Sequence, residues 1–240
     1  MIAWPNETDE RRAGFNLDVP PNGYAWWYVD AISDDGREGL TIIAFIGSVF
    51  SPYYAFARRG AAADPLNHCA LNVALYHADH KRWTMTERSI ANISRDSRHF
   101  QVGPSSLHWD GNCLEVRFDE WSVPIPKAVR GKIRVYPDQL FHYIAPLDDH
   151  ARHHWGPIAP SARVEVELDA PELSWKGHAY LDSNEGDEPV SEAFHEWDWS
   201  RALLSDGSTA VIYDVQQKSG DDHLLGLRFS PRCHHTLEGN

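Results

Sequence analysis

Basic side chains are scarce in this sequence of 240 residues. Only 22 Lys and Arg stand against 35 Asp and Glu, which gives a formal net charge of −13. Proteins that bind nucleic acids need clustered Lys and Arg to contact phosphates, so the composition argues against a nucleic-acid partner. An anionic membrane surface would repel the net charge in the same way. The 42% of apolar residues still provides enough material for a substantial core.

Cysteines are few, and long apolar runs are absent. The three cysteines, Cys69, Cys113 and Cys233, are odd in number and far apart, which argues against a disulfide framework and fits a reducing compartment. The longest strongly apolar stretch, Leu40 to Phe50, has 11 residues, whereas a helix needs roughly 20 to cross a bilayer. Residues 1–15 carry no signal-peptide pattern. We therefore expect a cytoplasmic protein without a membrane-spanning helix.

The sequence also lacks the common cofactor and metal motifs. The fourteen histidines are potential ligands for a metal ion. The prolines around His150, His153 and His154, however, disfavour the helix that would bring these side chains together. The run Cys233 to His235 has no second pair of ligands at zinc-finger spacing. Neither a Gly-rich phosphate loop nor a Gly-x-Ser-x-Gly motif occurs. The sequence predicts no metal and no cofactor.

Alternation of apolar and polar residues with period two is the dominant pattern. Gly, Pro, Asn and Asp interrupt it about every ten residues, as is typical of antiparallel barrels and sandwiches. Four dipeptides supply the positive-φ residues of tight hairpins: Asp35-Gly36, Asp110-Gly111, Asp206-Gly207 and Ser219-Gly220. The predicted strands are Tyr24 to Ile32, Leu40 to Phe50, Cys69 to Tyr76, Trp83 to Ser89, Ser105 to Trp109, Cys113 to Phe118, Lys132 to Tyr136, Arg163 to Leu168, Leu173 to Asp182, Phe194 to Leu204, Thr209 to Gln216 and His223 to Phe229.

The segment 146–161, rich in proline and histidine, divides these strands into two groups. We interpret it as the connection between an N-terminal β domain, residues 1–145, and a shorter C-terminal β domain, residues 162–240. A closed small barrel takes about eight strands, and the second group offers about five. The prediction is an all-β fold of two antiparallel barrel or sandwich units in tandem, the second of them incomplete.

Two pairs of residues at period-two spacing are candidates for chemistry. His153 and Trp155 would point to the same side of an extended segment, and so would Tyr180 and Asp182. If the two segments meet, aromatic rings would surround the carboxyl and raise its pKa toward that of a general acid. The alternative is structural, because Asp182 begins a turn-favouring stretch in which an Asp commonly caps a turn.

Large aromatic side chains are abundant, with ten Trp, nine Tyr and nine Phe. They are either core residues or the walls of a pocket for a large apolar ligand. The candidates for ligand binding are Trp26, Tyr28, Trp197, Trp199 and Tyr213. Asp214 interrupts an apolar strand, and it is either a satisfied buried polar group or a second carboxyl of the pocket.

Several longer runs resemble one family. They are Gly23 to Asp30, Gly39 to Tyr54, Asp64 to Ala74, Gly177 to Pro189 and Trp197 to Ser200. Through these runs, the chain resembles the carotenoid 1,2-hydratases over about residues 20–230. These enzymes are the hydroxyneurosporene synthases of phototrophic bacteria.

The resemblance implies two lipocalin-like β units and addition of water, without a cofactor, across the terminal C1–C2 double bond of an acyclic carotenoid such as neurosporene or lycopene. It places the family's proposed active-site residues on His153, Trp155, Tyr180 and Asp182, with Asp182 as the acid. Members of the family generally continue past the equivalent of Phe229, which implies a shortened second unit here. The insoluble substrate implies peripheral contact with the inner or photosynthetic membrane, for which the aromatic segment 50–56 is a candidate.

Hydration of an isolated alkene must begin with delivery of a proton to C2, which leaves a tertiary cation at C1. On this hypothesis neutral Asp182, held by Tyr180, delivers the proton. The ring of Trp155, with other indoles, stabilises the cation by up to about 2 kcal/mol each. His153 positions the attacking water or takes its proton. Two alternatives use the same pocket: a carrier of an isoprenoid or other lipid, and a polyene cyclase.

Overall fold

The computed structural model describes residues 13–79 and 81–230, together with the backbone of residues 233–236. Nearly all of its regular structure is β. The predicted all-β fold with two antiparallel sheets is confirmed: a large sheet curls into a half-barrel, and a smaller sheet follows it. Within the described part of the chain, no helix combines the length and the apolar character needed to span a membrane.

The described chain contains seventeen strands and a few short helical segments. The strands are β1 (Tyr24–Ser33), β2 (Gly39–Ile46), β3 (Cys69–Tyr76), β4 (Arg82–Trp83), β5 (Thr86–Arg88), β6 (Ile93–Arg95), β7 (His99–Val102), β8 (Ser105–Trp109), β9 (Leu114–Trp121), β10 (Ala128–Pro137), β11 (Ala145–Pro146), β12 (His153–Ala170), β13 (Glu172–Gly186), β14 (Phe194–Leu203), β15 (Thr209–Gln217), β16 (His223–Ser230) and β17 (Cys233–Thr236). The α-helices are α1 (Pro52–Ala57) and α2 (Val190–Ala193), and the 3₁₀ turns are Pro65–His68 and Ile90–Asn92.

The large sheet has the strand order β4-β3-β2-β1-β13-β12-β10-β9-β8-β7-β6, with β5 paired to β3 and β11 paired to β12. The small sheet has the order β14-β15-β16-β17. The four predicted hairpin turns are confirmed, for instance with Gly36 at φ +70 and Gly207 at φ +80. The predicted strand Trp83 to Ser89 is instead two short strands, β4 and β5.

Residues 153–186 differ most from the sequence-based expectation. The pattern assigns them to the connecting segment and the second domain, yet β12 and β13 are long central strands of the large sheet, between β1 and β10. The pairing of β12 with β13 shifts register between Pro157 and Ala162, and such bulges admit prolines. Alternation identifies a strand but not the sheet that it joins. The two sheets therefore divide after Gly186, and the domain boundaries stay a prediction.

The two faces of the large sheet contribute to two separate clusters. On β1, the side chains of Trp27, Val29 and Ala31 lie in the main core with residues of most other strands of the large sheet. The alternate residues Trp26 and Tyr28 pack instead into an aromatic cluster that includes side chains of β15 and β16. Because successive side chains of a strand point to opposite faces, this second cluster lies between the two sheets.

An ion pair joins the two sheets beside this aromatic cluster. Nε of Arg201, on the edge strand β14, lies 2.9 Å from Oδ1 and 3.0 Å from Oδ2 of Asp30, on β1. The two side chains are only 11% and 16% exposed. The guanidinium carbon also lies 5.4 Å from the centre of the Tyr180 ring. The pair therefore holds β14 against β1.

We expect Asp30→Asn to lower the free energy of unfolding by about 2 kcal/mol, because it leaves a mostly buried guanidinium without its counter-charge. Urea unfolding followed by tryptophan fluorescence measures this loss. Asp34→Asn is the matched control, since its pair with Arg163 is exposed at the surface and such pairs contribute little. Equal losses for the two variants would contradict a role of Asp30 in joining the sheets.

Candidate active site

A cavity of about 160 Å³ lies between the two sheets. Its walls are mainly aromatic and include Trp26, Tyr28, Phe45, Trp197, Trp199 and Tyr213. Two polar side chains of β13, Asp182 and Asn184, also line it. Aromatic walls with a few placed polar groups are typical of a binding site for an apolar molecule.

The register of three adjacent strands brings these side chains together. β13 lies between β1 and β12. On one side, Asp182 is opposite Tyr28 and Asn184 is opposite Trp26. On the other side, Asn184 is opposite Trp155. Because β-strand side chains alternate, all five lie on the face that meets the small sheet.

Asp182 is held by two hydrogen bonds to the same oxygen. Nε1 of Trp155 donates to Oδ2 at 2.8 Å, and the hydroxyl of Tyr180 donates to Oδ2 at 2.9 Å. Asp182 is 3% exposed, and both donors are fully buried. The structure thus assembles three of the four residues of the two predicted pairs into one hydrogen-bonded group at the cavity wall.

The phenols around this carboxyl stay neutral. Burial, and then the charge of Asp182, raise the pKa of Tyr180 well above its usual value. The same causes in the same order raise the pKa of Tyr213. Burial, followed by the charges of Asp30 and Asp182, also raises the pKa of Tyr28. All three phenols therefore remain protonated hydrogen-bond donors at neutral pH.

Trp199, from β14, covers the cavity on the side of the small sheet. Its ring centre lies 5.4 Å from that of Tyr28 and 5.2 Å from that of Tyr180. Deeper in the site, the ring of Tyr213 lies 5.4 Å from that of Trp155. These contacts make indole and phenol faces the main surroundings of Asp182.

The exposed side of the cavity, its mouth, is formed by Phe50 and Trp197. These two are the most exposed of its lining residues, with 52% and 37% of their surface accessible. Phe50 meets Phe45 of the cavity wall edge to face, with ring centres 5.5 Å apart. Phe50 directly precedes the N-cap Ser51 of α1. The mouth of the cavity is therefore continuous with the surface of α1.

His153 lies apart from the other three residues of the predicted pairs. It is opposite Gly186, four residues along β13 from Asp182, which corresponds to about 13 Å. Its Nδ1 is 2.8 Å from the hydroxyl of Tyr24. A Cβ at Gly186 would lie 2.7 Å from this nitrogen, so the glycine makes room for the pair. The ring of Tyr24 stacks on Trp26 at 4.9 Å, which is the link from His153 to the cavity.

Asn184 is a cavity residue that the period-two pairs do not include. Its only signal was its place two residues after Asp182 in a strand of period two, within a stretch that also favoured a turn. Asp214, a candidate for a second carboxyl of the pocket, is instead exposed. It follows Tyr213, whose side chain points into the site, and so it must point away.

A larger open groove of about 1040 Å³ runs beside the β1–β2 turn and β14. Its lining includes charged residues such as Arg37, Glu38 and Lys81, which suit an apolar molecule poorly. Within residues 13–79 and 81–230, no group of three His, Cys, Asp or Glu side chains is placed to hold a metal ion. The side chains of Cys233 to His235 lie outside the described residues. The smaller cavity is thus the better candidate site.

Comparisons with known proteins agree on one family. The family model of the carotenoid hydratase CrtC matches residues 42–237. The acyclic carotenoid 1,2-hydratase of Rubrivivax gelatinosus is 61% identical over 217 residues, which are 90% of this chain and 53% of that protein. The protein of the same name from Thiocapsa roseopersicina is 52% identical over 230 residues, 95% of this chain and 56% of the relative. The chain spans about half the length of these curated relatives.

Among solved structures, the crystal structure of an AttH candidate from Nitrosomonas europaea is similar with a TM-score of 0.66. The alignment covers 98% of this chain and 72% of that chain at 16% sequence identity. At this identity the likeness supports the fold alone.

The buried imidazole gives a testable pH dependence. Burial lowers the pKa of His153 below 6.5, although the carboxylates of Asp148 and Glu188 oppose this effect. Folding therefore favours the neutral ring. Its stabilising contribution is complete above the unfolded pKa of about 6.5 and is lost as the pH falls through the lower folded pKa.

We expect the thermal midpoint of the wild type to fall more steeply from about pH 7 to about pH 5 than that of His153→Gln, which cannot take up a proton there. Differential scanning fluorimetry over a pH series measures both slopes. His154→Gln, at the half-buried neighbouring position, should follow the wild type. Parallel curves for the wild type and His153→Gln would contradict the buried neutral imidazole.

Proposed function

The chain belongs to the carotenoid hydratase family, and on this premise we propose that it adds water across the terminal C1–C2 double bond of an acyclic carotenoid. Neurosporene and lycopene are the substrates proposed, and the product is the tertiary 1-hydroxy carotenoid. The observation that carries the proposal is the carboxyl of Asp182, buried in an aromatic cavity and held by Trp155 and Tyr180. The added hydrogen comes from an acid and the added hydroxyl comes from water, so the reaction needs no cofactor.

The first step is transfer of a proton from neutral Asp182 to C2. The O–H bond of the carboxyl breaks, and the π electrons of the double bond form the new C2–H bond, which leaves a cation at C1. Burial among rings favours the neutral acid, whereas the two donated hydrogen bonds favour the anion formed by the transfer. Because Oδ2 accepts both hydrogen bonds, the transferred proton would be carried on Oδ1.

The aromatic walls stabilise the cation. The rings of Trp26, Tyr28 and Trp199 line the cavity into which the end group would enter. Each ring face contributes up to about 2 kcal/mol to a cation in a site without water. A tertiary carbocation carries no N–H or O–H group for a hydrogen bond, so ring faces are the appropriate partners for it. Preorganised electrostatics would supply most of the rate.

His153 contributes to this reaction as a positioning residue. Its contact with Tyr24, which stacks on Trp26, connects it to one wall of the cavity. The imidazole is not part of the cavity lining, which supports a positioning role over direct contact with the attacking water.

The size of the cavity favours an end group over a whole polyene. A cavity of roughly 150 Å³ accommodates one benzene molecule, and the present one is about 160 Å³. One terminal isoprene unit fits such a space. A lipid carrier or a cyclase would have to enclose far more of the chain, so this cavity favours hydration of an end over both alternatives.

The rest of the polyene must then lie outside the cavity, and the membrane is the medium that dissolves it. Phe50, Tyr53 and Phe56 of the mouth and α1 are 52%, 72% and 73% exposed. Buried Tyr54 anchors α1 by donating its hydroxyl to the carbonyl oxygen of Gly23 at 2.7 Å. Arg58, over the Tyr54 ring at 4.4 Å, adds a positive charge beside the aromatic residues. Aromatic and basic residues in this arrangement suit a membrane interface.

Asp182→Asn should abolish hydration while binding of the polyene stays nearly unchanged, because the amide keeps the size of the carboxyl but has no acidic proton. Product formation from lycopene in detergent, measured by mass spectrometry, and pigment co-elution with the protein give the two readouts. His153→Ala is the comparison, and its turnover should fall less.

If Asp182→Asn retained most of the turnover of the wild type, Asp182 would not be the acid. A loss in folded His153→Ala as large as that in Asp182→Asn would contradict the lesser, positioning role of His153.

The double variant Tyr53→Ser/Phe56→Ser should bind vesicles of phosphatidylethanolamine and phosphatidylglycerol roughly tenfold more weakly than the wild type, because it loses exposed apolar area. Sedimentation with the vesicles measures the bound fraction. Trp121→Ser/Ile125→Ser is the matched control: Trp121, at the end of β9, and Ile125, in the turn after it, are 56% and 68% exposed. Equal vesicle binding by the α1 variant and the wild type would rule out α1 as the membrane contact.

A further inference from the structure

Hydration requires a second placed reactant, the water that attacks C1. The cation can also return its proton, so an unplaced water gives a slow and wasteful reaction. Asp182 serves as the acid, and His153 lies about 13 Å along the strands from it. The polar group that holds the water must therefore be sought among the other cavity residues, on the premise of the proposed hydration.

Asn184 has the position that this role requires. It is 4% exposed and lines the cavity together with Asp182. The two residues stand two apart on one face of β13, which separates them by about 7 Å. An alkene lying over this face can therefore present C2 to the carboxyl while C1 lies nearer to the amide. Trp26 and Trp155 are opposite Asn184 on the two neighbouring strands.

Tyr213 completes a polar pair with Asn184. Nδ2 of Asn184 donates to the Tyr213 hydroxyl at 3.1 Å. Tyr213 is 4% exposed and lines the same cavity from the small sheet. A phenolic oxygen that accepts one hydrogen bond can accept another, and Asn184 keeps its carbonyl oxygen Oδ1 for a further partner. The pair thus offers two acceptors for the two hydrogens of a water molecule.

A donor for the same water is available on Trp199. Its Nε1 is buried and has no hydrogen-bond partner among the described residues. Buried N–H groups are nearly always paired in native proteins, so such a group in a cavity wall marks a place for a polar ligand. A water held by two acceptors and one donor retains one lone pair for the cation.

We propose that Asn184, together with Tyr213, binds the water molecule that attacks C1. After protonation of C2, the free lone pair of this water forms the C1–O bond. The resulting oxonium loses one proton to the carboxylate of Asp182, which restores the neutral acid. The net change is the addition of one H₂O, and no other reactant is consumed.

Asn184→Leu tests this assignment, because it keeps the approximate volume and removes both hydrogen-bonding groups. We expect its turnover with lycopene in detergent to fall roughly a hundredfold, as for a misplaced reactant. Protonation by Asp182 is retained, so the cation forms and returns a proton to the carboxylate. In D₂O the recovered alkene should therefore gain deuterium at C2, and the ratio of exchange to hydration should rise above that of the wild type.

Tyr213→Phe is the second variant. It removes a single hydroxyl, and its exchange ratio should rise in the same direction by a smaller factor. Ser183→Ala is the matched control on the same strand, because Ser183 points to the opposite face, and it should behave as the wild type. Circular dichroism and the thermal midpoint verify that each variant is folded.

The outcomes separate this inference from the proposed function. A wild type that neither hydrates lycopene nor exchanges deuterium into it would contradict the proposed function itself. If the wild type hydrates lycopene while Asn184→Leu and Tyr213→Phe keep both its turnover and its exchange ratio, the assignment of the water to Asn184 is overturned. Loss of hydration and exchange together in folded Asn184→Leu would also overturn it, since it would place Asn184 in the protonation step.

Discussion

A carboxyl enclosed by aromatic rings must be given hydrogen-bond donors, and the rest of the site depends on how this chain meets that requirement for Asp182. Both donors come from the strand ladder: Tyr180 stands two residues earlier on β13, and Trp155 is on the adjacent strand β12. A buried polar group without such partners would cost several kcal/mol, about 2–7 by transfer measurements. The register of β12 and β13 is therefore as much a part of the site as the carboxyl. A slip of one residue would turn every one of these side chains to the other face.

The cavity lies where the large sheet and the small sheet face each other, and residues of both sheets line it. The inner face of the large sheet is occupied by its own core. The outer face carries the aromatic residues of β1 and β13, and the edge strand β14 covers them with Trp197 and Trp199. The pair of Arg201 with Asp30 joins that edge strand to β1, and the exposed Phe50 lies at the mouth of the cavity. This arrangement favours an elongated molecule that inserts only its end.

Local periodicity predicted much of the candidate site. Strict alternation is enough to place Tyr180 and Asp182 on one face, and His153 and Trp155 on one face, and both pairings hold in the structure. Alternation could not reveal that β12 and β13 join the large sheet, because sheet membership depends on contacts between residues far apart in sequence. The distance of His153 from Asp182 follows from the antiparallel register, which is equally nonlocal. Asn184 was hidden because its residue type is common in turns, and only its partners Tyr213, Trp26 and Trp155 give it a role.

Under the proposed function, this cavity converts an acyclic carotenoid by adding water to its end. The most direct measurement is the mass of the pigment after incubation of the purified protein with lycopene in detergent, made up in water labelled with heavy oxygen. Hydration of the end group predicts a product heavier by one water, with the labelled oxygen on C1. Recovery of bound but unaltered lycopene, or of an isomer of unchanged mass, would contradict it, the first in favour of a carrier and the second in favour of a cyclase.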